Sequence, residues 1–168
     1  MIKFPITLRY VGLPLNWANP IELSVAKEQA LVEGLKKVPE GYFPVYVSGE
    51  GNVLFHLYLS HFNKAITDFK GIDFIRYFDL RFKQNEDEES INLATSAKII
   101  FIYNVGLEAA LNTKFSAKLL LGLLEFYKKE GATVFVCSPL PYNEFYREYQ
   151  IDFVNKIRLP EHKVKKIF

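Results

Sequence analysis

Cysteine, methionine and tryptophan each occur once in this chain, and histidine three times. A lone cysteine, Cys137, excludes an intramolecular disulfide, and with so few histidines a Cys/His zinc site is excluded as well. This scarcity fits a reducing, cytoplasmic setting without a metal. An excess of charge is also lacking: 21 Lys and Arg oppose 19 Asp and Glu, a formal net charge of +2. No global field therefore announces nucleic acid, a membrane or an acidic partner, and any such contact must use a local patch. No segment approaches the roughly 18 apolar residues of a membrane span. At the N-terminus, Lys3 and Arg9 bracket a short run broken by Pro5, without the long apolar stretch of a signal peptide. What the chain has in quantity is rings, 15 Phe and 10 Tyr within 168 residues, enough for one domain whose core relies on ring packing.

The pattern along the chain predicts an α/β domain. Residues 1–20, with three prolines, read as an extended lead-in, and 21–168 as one domain. Helical spacing of Leu23, Ala26, Ala30, Leu31 and Leu35 predicts a helix over 21–38, stopped by Pro39 and Gly41. A strand at 43–48 is followed by a helix over about 52–69. A second strand is expected at 72–78, with a short helix from 79 to 82. The acidic run Glu86, Asp87, Glu88, Glu89 reads as a solvated loop. Residues 97–103 form a nearly continuous apolar run, expected at the sheet centre between the strands at 45–48 and 133–137. A broad apolar stripe predicts a helix over 115–129, followed by a strand at 133–138, a helix at 142–153 and a final strand at 164–168. Strands alternating with helices imply a three-layer αβα sandwich with a mostly parallel sheet.

One turn carries the functional argument. Val45-Tyr46-Val47-Ser48-Gly49-Glu50-Gly51-Asn52 reads as strand, glycine turn and helix start, the setting in which G-x-x-x-x-G-K-[ST] cradles phosphates. Counted from Gly49, the second glycine position falls on Leu54, the phosphate lysine on Phe55 and the magnesium hydroxyl on His56. Leucine and phenylalanine place apolar bulk where charge must be neutralised. After the strand at 99–102, where a magnesium-dependent ATPase has an acidic pair, stand Tyr103 and Asn104.

The segment IIFIYNVGLE resembles the hhhhDDVGxE block of DnaC/DnaI-type helicase loaders, with Tyr103 and Asn104 in place of the aspartates. TVFVCSPLP resembles the same group's strand ending in a sensor asparagine, which would put Cys137, Ser138 and Pro139 at the sensor. DFVNKIRLPEHKVKKIF resembles the ending of DnaA-related AAA+ proteins of the Hda type, and Lys156 would then stand where that group carries a trans-acting arginine. The resemblance spans roughly Ile21 to Phe168, with NVGLE and DFVNKI its most specific parts. It implies a P-loop-NTPase-like sheet and a degenerate nucleotide site at Gly49, Leu54, Phe55, His56, Tyr103, Asn104 and Pro139, with no catalytic residue and no cofactor; the helical lid that the group carries after the last strand is expected to be absent. It also implies a replication partner, whether initiator, clamp or helicase. A working helicase-loader ATPase with a divergent loop and an unrelated small α/β enzyme are the alternatives.

The remaining candidates are contacts. Lys156, Arg158, His162, Lys163, Lys165 and Lys166 form the best basic cluster, a partner or DNA surface. Phe4, Tyr10, Trp17, Tyr142, Phe145 and Tyr146 are candidate aromatic anchors. His56 and His61 lack the i, i+4 spacing of a metal pair. Cys137, Ser48 and Ser138 lack a nucleophile motif. Glu108 and Asp152 could serve as acid and base only if the fold joined them.

Overall fold

The computed structural model describes residues 3–82, 93, 95–108 and 113–165. Five strands form one parallel sheet: β2 (Phe43–Ser48), β3 (Phe69–Asp73), β4 (Ile99–Tyr103), β5 (Thr133–Ser138) and β6 (Asn155–Arg158). Their order is β3-β4-β5-β2-β6, and β1 (Ile21–Glu22) pairs separately and antiparallel with β7 (Lys163–Val164). The helices are α1 (Lys3–Val11), α2 (Val25–Lys36), α3 (Asn52–His61), α4 (Phe74–Phe82), α5 (Thr113–Glu130) and α6 (Tyr142–Tyr149). This is the three-layer αβα sandwich with a parallel sheet expected from the alternating pattern.

The two-residue period of each strand divides the core. Val45, Val47, Ile99, Phe101, Phe135 and Cys137 point to one face, where α1, α2 and α3 supply Leu8, Val32, Leu35, Leu54 and Phe55. Tyr46, Ile72, Ile100, Ile102, Val134 and Val136 point to the other, against Phe74, Leu120, Leu123, Tyr127 and Phe145 of α4, α5 and α6. Phe101 and Phe135 are register partners, and their rings stack 5.2 Å apart.

Several elements differ from the sequence expectation. The central strand is β5, buried along its whole length, and β4 lies between β3 and β5 rather than beside β2. The opening segment is helical from Lys3 to Val11, because Pro5 sits in the first turn, where no intrahelical N–H is required. A 3-10 turn at Leu15–Ala18 follows, and Leu8, Val11, Leu13, Trp17 and Ala18 join the core. The first long helix begins only at Val25, after Ser24 accepts from the Lys27 N–H; Ile21 and Glu22 are a strand. Helix α3 stops at His61, where Asn63 adopts a left-handed φ of 52°. The second strand ends at Asp73, whose carboxylate caps the Ile75 N–H at 3.1 Å, so Phe74, Tyr77 and Phe78 fall on one face of a helix. Helix α6 ends at Tyr149 as Gln150 turns left-handed, which frees 155–158 for a strand the sequence reading missed. The acidic run at 86–89, Lys166 and the last residues of the expected 164–168 strand lie outside the described residues.

Candidate functional site

Beyond the carboxyl ends of the strands, where α/β sheets bind ligands, lies a cleft of about 470 Å³. Its walls come from the turn after β2 (Gly49, Glu50, Gly51), the ends of β3, β4 and β5 (Asp73, Tyr103, Cys137, Ser138), and Trp17 with its neighbours. Among the described lining residues two are carboxylates, and none is lysine, arginine or histidine. A polyphosphate would meet two carboxylates in that lining and no cationic side chain to bind it directly.

The turn itself is tied down. Gly49, at φ 132°, donates its N–H to the Ser138 carbonyl at 2.8 Å, and the Val53 N–H goes to the Asn52 side chain at 3.0 Å. Gly51 has no room for a side chain: a Cβ would lie 2.8 Å from Cys137 Sγ, 3.0 Å from Phe101 and 3.1 Å from Trp17. At the positions aligned with the P-loop, Leu54 and Phe55 are fully buried in the core, not at the cleft. Phe55 packs against Trp17 at 5.8 Å and Phe69 at 5.0 Å. His56 is half-buried and donates from Nε2 to the Trp17 carbonyl at 2.6 Å; burial holds its pKa below the ordinary value.

The positions aligned with the metal carboxylates hold the fold together. Tyr103 donates its hydroxyl to the Gly12 carbonyl at 2.7 Å, anchoring the N-terminal segment, and burial pushes its pKa well up. Asn104, left-handed at φ 64°, donates to Asp73 Oδ1 at 3.2 Å. Pro139 lines the cleft, and burial drives the Cys137 thiol far above its ordinary range, which disfavours the thiolate. Asp73 was missed by the sequence reading; its signal was a capping aspartate immediately before an apolar i, i+3, i+4 set.

Glu108 and Asp152 are not brought together as an acid–base pair. Glu108 is buried and accepts from the Gly106 N–H at 2.7 Å and from the Tyr149 hydroxyl, so it clasps the loop after β4 to α6. Asp152 accepts from the Tyr142 hydroxyl at 2.6 Å. Ser48 donates to the Leu140 carbonyl and Ser138 accepts from the Leu140 N–H. His61 faces Glu28 at 3.2 Å. Among the described residues no group of three His, Cys, Asp or Glu could hold a metal ion, and no helix is long and apolar enough to cross a membrane.

The proposed contacts separate by exposure. Trp17 and Phe145 are core residues, a correction: Trp17 fills the space beside Phe55, Phe101 and Tyr103, and Phe145 stacks on Tyr149. Tyr10 and Tyr146 are exposed, Tyr142 is half-buried, and Phe4 lies in α1. The basic cluster is divided between β6, with Lys156 and Arg158, and the β7 region, with Lys163 and Lys165. Lys156 sits 4.3 Å over the Tyr142 ring, and Lys165 pairs with Glu22 at 3.0 Å.

No protein-family model matches the chain, and no curated protein does. Among solved structures, domain III from the Thermotoga maritima replication initiation protein DnaA is similar, at 14% identity and a TM-score of 0.49, over 86% of this chain and 67% of that one.

Proposed function

We propose that this chain is a non-catalytic AAA+-like module of DNA replication initiation or its regulation, acting by binding a protein partner such as an initiator, clamp or helicase. The carrying observation is the fate of the phosphate-binding position: Phe55 is fully buried among rings, while the cleft beside it is lined by Glu50 and Asp73 and by no cation. The chemistry needed to hold a nucleotide is replaced by packing, so recognition is left to the surface. Support for the replication setting comes from the NVGLE and DFVNKI segments and from a parallel sheet of the expected kind. Protein binding is favoured over DNA because the net charge is only +2 and Lys165 of the basic cluster is paired with Glu22 within the chain.

A thermal-shift screen tests the nucleotide half of this reading. A ligand at about 100 times its Kd stabilises the folded state by about 2.7 kcal/mol. Millimolar MgATP and MgADP should leave the melting temperature unchanged; a rise of several degrees would favour an ATPase with a divergent loop. A gel shift at low salt should show no DNA complex, and a complex with a steep salt dependence would move the function to DNA.

A further inference from the structure

The sheet ends on an open strand. Strand β6 is bonded to β2 on one side and, among the described residues, has no strand partner on the other. The Leu159 N–H donates to the Ser48 carbonyl, so the alternation of a strand turns the N–H groups of Ile157 and Asn155 toward β2 and those of Lys156 and Arg158 outward. The side chains alternate as well: Asn155 and Ile157 are half-buried, while Val154, Lys156 and Arg158 are exposed in a row, Val154 at 88%. The edge therefore presents backbone groups that no other described strand takes up, with two cations at two-residue spacing and one apolar side chain, Val154, in the bend just before the strand.

We propose that this edge takes an extended acidic segment of a protein partner as a sixth strand of the sheet. The recognised pattern is an apolar residue facing Val154 and two carboxylates facing Lys156 and Arg158, each separated by one residue. Main-chain hydrogen bonds supply the docking and the alternate side chains supply the selection. A second copy of this chain is disfavoured, because antiparallel pairing of two β6 edges sets cations against cations. The proposal rests on the partner-binding reading above and gives it a mode.

The peptide Thr-Val-Thr-Glu-Thr-Glu-Thr and its reversed order, titrated into the full chain at low salt with backbone amide exchange as the readout, test this. The amides of Lys156 and Arg158 should gain protection with one of the two peptides. A version with Lys in place of Glu, and one N-methylated at alternate residues on its pairing edge, should bind neither measurably nor at those amides. Lys156→Ser with Arg158→Ser should weaken binding roughly tenfold, the sum of two exposed ion pairs. Lys156→Pro removes an outward N–H, which an edge strand tolerates, together with the ammonium over Tyr142 that the serine variant also lacks; it should abolish uptake, beyond the tenfold loss of the serine pair, while the melting temperature stays within a few degrees. Equal binding of the N-methylated peptide, no protection with either peptide order, or preferential protection of the same amides by a single-stranded DNA oligonucleotide would overturn the proposal. Absence of peptide uptake would leave Lys156 and Arg158 as guards against edge pairing. Because nucleotide is absent from every arm, a failure here is separable from a failure of the thermal-shift test.

Discussion

Phe55→Lys puts a lysine where the proposed phosphate-loop register would have one, and should destroy the fold instead. The ring is fully buried, between Trp17 and Phe69. Truncating such a phenylalanine costs about 3–5 kcal/mol, and leaving an ammonium without a counterion in its place adds several kcal/mol more, or forces the lysine to bind no proton. Together the loss is about 5 kcal/mol or more, against a total stability of about 5–15 kcal/mol for ordinary domains. Guanidinium chloride denaturation measures it, and Trp17, the one tryptophan of the chain, reports from a ring centroid 5.8 Å away. Phe55→Ala serves as the comparison and should lower the midpoint without raising the affinity for MgATP. A Phe55→Lys protein that melts with the parent and binds ATP would refute the reasoning, since the side chain would then have reached the cleft.

Trp17→Ala should cost about 3–5 kcal/mol, measured by thermal melting, because the indole packs on Phe55, Phe101 and Tyr103; a change below about 1 kcal/mol would make the N-terminal segment an appendage. His56, half-buried and depressed in pKa with its Nε2–H held by the Trp17 carbonyl, titrates in the unfolded chain near the ordinary value of about 6.5. Below that pH the unfolded state takes up a proton that the folded state does not, so stability is full above about 6.5 and falls as the pH drops through the lowered folded value. His56→Gln should flatten that part of the stability profile, and an unchanged slope would contradict the buried neutral imidazole.

The parallel α/β architecture was legible because alternation of strands and helices is a global pattern, robust to shifts of an element by a few residues. The boundaries were not. Asp73 ends β3 by capping the next helix, and its apolar neighbours Phe74, Tyr77 and Phe78 suit a strand or a helix equally until the cap is seen. Pro5 was taken as a breaker although the first helical turn accepts it, which concealed α1 and made Trp17 look like a surface anchor. The centre of the sheet was misplaced because the apolar runs of β4 and β5 are equally suited to burial, and their order is decided by crossovers that leave no local mark. In the site, the identities of Phe55, Tyr103 and Asn104 could be read directly, but the contacts they make could not. The bond from Tyr103 to Gly12 joins residues 91 apart, and that from Tyr149 to Glu108 joins residues 41 apart. The open edge at β6 was hidden for a similar reason: a four-residue strand of mixed polarity has no periodicity strong enough to announce itself.

Isothermal titration of the full chain with ATP and ADP in the presence of magnesium tests the central claim, that packing has replaced phosphate chemistry in this sandwich, most directly. The buried Phe55 and the cation-free cleft predict no binding heat for either nucleotide up to millimolar concentration. A saturable isotherm with a micromolar dissociation constant would contradict it.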